Sequence, residues 1–567
     1  MGKIISIGNQ GFEDIRVNDN FYVDKTAFIK EWWESRDIVT LITRPRRFGK
    51  TLNMDMLKCF FSNKYAGRTD LFEGLSIWKE KEYRELQGKY PVIFLSFADV
   101  KERDCQNAIQ KIKNILVDLY LQYENLTETF SESAKMRYNM VQYGMSDVTA
   151  QDALKNLSAI LNSYYGKNVI ILLDEYDTPM QEAYLNGYWE EFTGFMRSLL
   201  NAAFKTNPYL ERAVMTGITR VSKESMFSDL NNLNVATITS KEYASSFGFT
   251  EEEVFHALDS YGMSEEKQRG KEWYDGFVFG PVKDIYNPWS ITNFLDKKEY
   301  RTYWVSTSSN EMVSRLIQTA SSEIKEKMEE LIHGKEIVEN FDEQIVFHQL
   351  DRNEGAIWSL LLASGYLKAV DVEYRGEFME PWYHLKITNK ETSSMFFNLF
   401  RGWFEVVRQE YNEFVNALLA GNVKAMTNYM NDVALETFSN FDTGRRVSKR
   451  TQPERFYHGF VLGLLVSLRD EYQLKSNRES GYGRYDVMLI PKSREKDAIV
   501  MEFKVYDEDE EKGLSETVAA ALKQIDEKNY DAELLSLGME KERIRHYGFA
   551  FEGKKVLIGA NQGNVIL

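Results

Sequence analysis

Four short apolar runs constrain the fold more than any other feature: IVTLIT at 38–43, PVIFLSF at 91–97, NVIILL at 168–173 and AVMT at 213–216. They are rich in β-branched residues and show no apolar–polar alternation, so each reads as a strand buried on both faces. Helical stretches separate them. Strands of this kind belong to parallel sheets with helices on each side, because a parallel connection needs a crossover that covers a face. Residues 1–240 are therefore expected to form an α/β domain.

Beyond that point the pattern changes three times. Residues 241–335 are helical and charged, with WYDG at 273–276 and YNPW at 286–289 reading as turns that hold aromatic residues. Residues 336–407 read as helices followed by a hairpin and another helix, the layout of a winged-helix-like module. From 408 the chain reads as a helical connector, then a helix at 453–468. Two strands at 484–490 and 498–505 follow, then a helix at 516–528 and a last strand-like segment, HYGFAFEGKKVLIGA.

Composition narrows the chemistry. Two cysteines among 567 residues exclude a disulfide framework and a Cys-rich zinc site, and six scattered histidines argue against His-cluster metal chemistry. The formal net charge of -16 means that any contact with nucleic acid depends on local basic patches. Five bases between 441 and 455 (Arg445, Arg446, Lys449, Arg450 and Arg455) form one such cluster. No apolar stretch approaches the length of a membrane helix, and the first residues lack the apolar core of a secretory signal. Gly2 with Ser6 matches a loose myristoylation pattern that no polybasic stretch supports. A cytoplasmic protein without membrane contact is expected.

One group of candidate site residues follows the first run. There RPRRFGKT at 44–51 leads into a helix. A strand, a tight turn, Lys-Thr and a helix N-terminus suit nucleotide phosphates. Backbone N–H groups of the loop, those of Arg47, Phe48 and Gly49 among them, face the anion. Lys50 reaches the terminal phosphates and the Thr51 hydroxyl binds Mg²⁺. Arg44 stands where such a loop usually has its first glycine, and Gly-Lys-Thr after an apolar run also occurs by accident. The run NVIILL ends in Asp174-Glu175, which fits metal coordination by Asp174 and polarisation of the attacking water by Glu175. Thr216 ends another run and is placed to sense the γ-phosphate, with Arg220 as a candidate charge stabiliser.

A second group lies near the end of the chain, in GRYDVMLI and AIVMEFKV. Residues two apart on a strand share a face, so Glu502 and Lys504 point the same way. If the strands pair as a hairpin, Asp486 joins them. Two carboxylates holding Mg²⁺ beside an ammonium group can cleave a phosphodiester. An exposed hairpin face decorated with charges would carry the same residues.

The runs YVDKTAFI, RPRRFGKT, LLDEYDTP, TGITRVSKE, WYDGF and YNPWS, in this order, resemble the bacterial and archaeal AAA-ATPase-like family, whose members pair this ATPase with a C-terminal nuclease-like domain. The resemblance implies a P-loop AAA-like parallel sheet, a helical lid and a winged-helix-like module. The last segment resembles the PD-(D/E)xK nuclease fold. That likeness implies Glu454 as a further metal ligand or a group behind the ligands, and Gln524 as a supporting residue of the Asp486–Glu502–Lys504 site. ATP and Mg²⁺ are the implied cofactors. Nucleic acid, DNA first, is the implied partner, and AAA-type sites are often shared within a homo-oligomer. The rival expectation is a STAND-like signalling or scaffold ATPase whose nuclease-like domain only binds nucleic acid or protein. Tyr22, Asp24 and Lys25 are expected near the nucleotide.

Overall fold

The computed structural model describes residues 2–219, 230–307, 311–332, 334–343, 355–403, 411–437, 461, 464–465, 468, 471–480, 483–493, 495–507, 511–552 and 555–561. The chain forms two compact units. One comprises Met1–Ala320 with Glu330–Met395, the other Ser321–Glu329 with Phe396–Leu567.

The first unit is built on five parallel strands: β1 (Val39–Thr43), β2 (Val92–Ser96), β3 (Val169–Asp174), β4 (Leu210–Gly217) and β5 (Leu233–Ala236). Their order across the sheet is β2-β3-β4-β1-β5. Every residue of β1 and β3 is buried, which is why these runs carry no polar alternation. Insertion of β4 between β1 and β3 brings three strand ends together. Thr43 pairs with Gly217, and Leu173 with Met215.

Two small antiparallel sheets complete this unit. Strands β6 (Phe249–Thr250), β7 (Phe277–Phe279) and β8 (Val282–Tyr286) form one, in the order β6-β8-β7. The other joins β9 (Ile337–Asn340), β10 (Leu367–Arg375) and β11 (Glu380–Ile387); the helix Ala356–Ala363 comes between β9 and β10 in the chain, and the helix Lys390–Trp403 follows β11. Helix, hairpin and helix thus follow one another where a winged-helix-like module is expected.

The second unit holds a mixed sheet, β12 (Tyr472–Ser480), β13 (Gly483–Pro491), β14 (Ala498–Val505), β15 (Ile544–Glu552) and β16 (Lys555–Ala560), ordered as in the sequence. Only β14 and β15 are parallel among these pairs, and the helix Leu514–Glu527 lies between them in the chain. The sheet is buried on both faces. Met501 and Phe503 pack in one cluster with Phe414, Leu418, Met426 and Met430 of the two preceding helices. Met488 and Val500 pack in another with Ile525, Tyr530 and Leu534. The helices Tyr411–Ala420 and Val423–Thr437 therefore share the core of the C-terminal sheet.

Candidate functional sites

The loop after β1 begins by extending the sheet, as Arg44 N donates to Gly217 O at 3.1 Å. Gly49 then takes φ +80, a left-handed conformation that costs a glycine nothing, and Lys50 opens the helix Lys50–Phe61. Lys50 is buried, and its Nζ donates to the carbonyls of Arg44 at 2.9 Å and Pro45 at 2.8 Å. Burial lowers its pKa, so an anion that replaced those neutral carbonyls would satisfy the ammonium group better.

Asp174, 1% exposed, ends β3 between two hydroxyls. Thr51 Oγ1 donates to its Oδ2 at 2.7 Å, and Thr216 Oγ1 to its Oδ1. Burial raises the Asp174 pKa against the pull of both hydroxyls. Thr51, Asp174 and Thr216 come from three separate segments and meet here. Glu175 is half-buried beside them at φ +50, and Thr178 Oγ1 donates to its Oε2 at 3.1 Å. Hydroxyl and carboxylate oxygens are hard donors, the set that suits Mg²⁺.

Several side chains of these segments are tied into the fold. Arg44, where such a loop usually has its first glycine, is one of them. Its guanidinium is fully buried and donates to the carbonyls of Thr43, Ala236, Thr237, Glu242 and Tyr243. It also lies 4.9 Å from the ring centroid of Phe279, and burial lowers its pKa to about 10. Arg44 thus ties the loop to the chain beyond β5. Phe48 is buried against Phe277 and Phe279, and Arg47 stacks on Trp289 at 4.4 Å. Lys25 is buried with Glu253, at 2.7 Å, and Ser245 O, while Asp24 holds Thr26 and Ser76 N. These are ties between N-terminal segments and the start of the helix Glu251–Ser260. Arg220, Glu454 and the basic cluster at 445–455 lie outside the described residues.

In the second unit the register of β13 and β14 runs Val487 opposite Met501 and Met488 opposite Val500. One step further, Asp486 comes opposite Glu502. The ladder gives way there, and Phe503 N donates to Asp486 Oδ2 at 2.8 Å instead. Glu502, 4% exposed, shares its face with Val500, which the helix Leu514–Glu527 covers. Gln524 on that helix donates from Nε2 to Glu502 Oε1 and also contacts Tyr530 Oη at 3.1 Å. Burial raises the Tyr530 pKa, and the charges of Glu502 and Asp486 add to the rise, so its hydroxyl stays protonated beside them. Lys504 is half-buried two residues on, along the same face of β14.

Comparison with known proteins finds a match for each of the two regions that hold these sites. Residues 6–227 match the family described as predicted AAA-ATPase, and residues 452–561 match the PD-(D/E)XK nuclease superfamily. The chain pairs an AAA-ATPase-like domain with a PD-(D/E)XK nuclease domain. It is 26% identical over 401 residues to the "Uncharacterized protein in vnfD 5'region" of Azotobacter chroococcum mcd 1, a match covering 69% of each chain. Among the described residues no helix is long and apolar enough to cross a membrane.

Sequence reasoning missed two residues beside these sites and one buried carboxylate apart from them. Asp177, in the run LLDEYDTP, is buried against the end of β4. Tyr530 closes the face of the nuclease-like site six residues after Gln524. Asp275 of WYDG is buried between Asp284 and Lys271, which also pairs with Glu251. Burial and the neighbouring Asp284 raise its pKa to about 7. The aspartates at 177 and 275 each sit inside a distinctive run, and that was the signal available.

Proposed function

We propose that the chain binds ATP with Mg²⁺ at Lys50, Thr51 and Asp174, hydrolyses it, and couples nucleotide state to metal-dependent cleavage of nucleic acid by its C-terminal domain. The observation that carries this reading is Gln524 oriented on Glu502, with Asp486 opposite and Lys504 beside it, within a region that matches a nuclease superfamily. An exposed decorated hairpin would not bury Glu502 under a helix. DNA is the first substrate to test. Action in the cytoplasm, and a homo-oligomer that completes the ATP site, belong to the same proposal.

At the first site Lys50 exchanges its two carbonyl partners for phosphate oxygens. Glu175 takes a proton from the attacking water, and Thr216 holds Asp174 in place. Bound Mg²⁺ at either site supplies charge neutralisation on phosphate oxygens and acidifies coordinated water. At the second site Asp486 and Glu502 present the carboxylates that hold the cation. Lys504 orients the nucleophilic water and balances the charge that grows on the phosphate, while Gln524 keeps Glu502 from rotating.

The test is cleavage of labelled single- and double-stranded DNA and RNA with Mg²⁺ or Mn²⁺, with and without ATP. The intact protein is compared with Glu502→Ala. Cleavage that needs metal and Glu502, and changes in rate with ATP, is the expected result. Cleavage by Glu502→Ala, or none by the intact protein in any lane, overturns the nuclease assignment.

A further inference from the structure

The turn after β3 is more than a route out of the sheet. Glu175, in its left-handed conformation, reverses the chain so that Tyr176 and Asp177 come back over the end of β4. Asp177, 1% exposed, directs Oδ2 at that strand end and accepts from Ile218 N at 2.9 Å, Thr219 N at 2.8 Å and Thr219 Oγ1 at 2.9 Å. Gln181 Nε2 donates to the same oxygen at 3.1 Å, and Arg46 Nη2 of the phosphate loop reaches Gln181 Oε1 at 3.4 Å. Tyr176 contributes at both ends of the segment: its N–H donates to Thr216 O at 3.0 Å and its hydroxyl to Thr219 O at 2.8 Å. A Cβ on Gly217 would lie 2.7 Å from Asp177 Oδ1, so only glycine lets the two segments close this far.

We infer that Asp177, with Tyr176, is a positioning residue for the proposed hydrolysis, clamping residues 216–219 so that Thr216 meets Asp174 and Glu175 stays aimed. The inference rests on the ATPase reading above and adds to it the residue that sets the geometry of the hydrolytic half of the site. Burying a carboxylate costs several kcal/mol unless donors satisfy it, and four donors converge on this one oxygen. A neutral residue could fill the same volume without that cost. An acceptor is needed because two consecutive backbone N–H groups at the strand end have to be held in one orientation. Lys50 and Thr51 hydrogen-bond to other acceptors, and Asp177 reaches Lys50 only through its charge. Loss of the clamp therefore bears on turnover far more than on nucleotide binding.

The experiment measures steady-state ATP turnover and the affinity for a non-hydrolysable ATP analogue on the full chain, for Asp177→Ala, Asp177→Asn and Tyr176→Phe. Asp177→Ala is expected to lower kcat by about ten- to a hundredfold, the scale of a small misplacement of reacting groups, with analogue affinity unchanged. Asp177→Asn keeps an accepting oxygen and regains most of the rate. Tyr176→Phe, which removes one hydroxyl, shows a smaller kcat loss in the same direction and decides the matter if Asp177→Ala does not fold. Unchanged turnover in Tyr176→Phe and Asp177→Ala, an equal loss of analogue affinity, or an Asn variant as slow as the Ala variant overturns the inference. Analogue binding without turnover by the intact protein instead overturns the ATPase reading on which it stands.

Discussion

The two sites are assembled in different ways. At the phosphate-loop site the side chains stand on turns beyond strand ends, and their geometry depends on bonds between those turns: Thr51 and Thr216 to Asp174, Asp177 to residues 218 and 219. At the nuclease-like site Glu502 and Lys504 stand inside a strand, so the pleat sets their common face, and Asp486, just beyond the paired part of its neighbour, is held to that strand by Phe503 N. Turns can rearrange when a ligand arrives, whereas a register cannot shift by one residue without turning a whole strand face over. The first arrangement suits a site that changes state, the second a site that holds one.

The largest expected effect separates the two sites outright. Lys50→Ala abolishes binding of an ATP analogue and leaves the metal-dependent cleavage site intact, as read by metal affinity. Asp486→Ala abolishes cleavage and leaves analogue binding at its original affinity. Loss of both functions in either variant breaks the comparison, because it would mean that one site cannot form without the other.

A smaller effect sharpens it. Gln524→Ala frees Glu502 to rotate without moving the strand, so metal affinity measured by titration is expected to fall about tenfold, the usual size for loss of a group that orients a ligand. The fold should survive, with melting close to that of the intact protein. An unchanged affinity would show that the strand alone holds Glu502, and an unfolded variant that Gln524 is mainly a packing residue.

The smallest effect concerns the first unit and pH. Asp275 has a pKa of about 7 in the fold against an ordinary value of 3.8, because burial and Asp284 disfavour its charge. Between those values the folded chain holds a proton that the unfolded chain has released. Its contribution to stability is therefore complete below the lower value and is lost as pH rises through the upper one. Asp275→Asn stays neutral throughout, so between about pH 5 and pH 8 its melting temperature should fall less than that of the intact protein. The gap between the two proteins is expected to be widest at the alkaline end. Equal slopes for the two proteins would remove Asp275 from the account.

Much of this was readable in the sequence because burial leaves a mark there. The continuous runs of β1 and β3 are buried at every position, and the polar residues that interrupt such runs, Asp174 and Glu502, are the ones the structure buries beside hydrogen-bond donors. Strand β5 escaped because three of its four residues are only partly buried, which leaves a weak pattern. Strand β12 escaped because its charged and polar residues, in YQLKSNRES, suit one edge of a sheet. The segment HYGFAFEGKKVLIGA reads as one strand, yet it divides into β15 and β16, which pair antiparallel with Glu552 opposite Lys555. The partners of Arg44 were not readable for a different reason. Its acceptors are backbone carbonyls, most of them nearly two hundred residues further on. Carbonyl direction is a property of the folded backbone and has no signature in residue type.

The parallel pairing of β14 with β15 sets a schedule. Glu502 pairs with Gly548 and Lys504 with Ala550, across a helix and about forty residues of chain. Until the ribosome has released β15, strand β14 has one neighbour, and the helix bearing Gln524 has only part of the surface on which it rests. Contacts so distant in sequence form late, after local hairpins such as β12–β13. The nuclease-like site therefore comes together only after β15 has emerged, so a chain that stops short of β15 does not carry the assembled site.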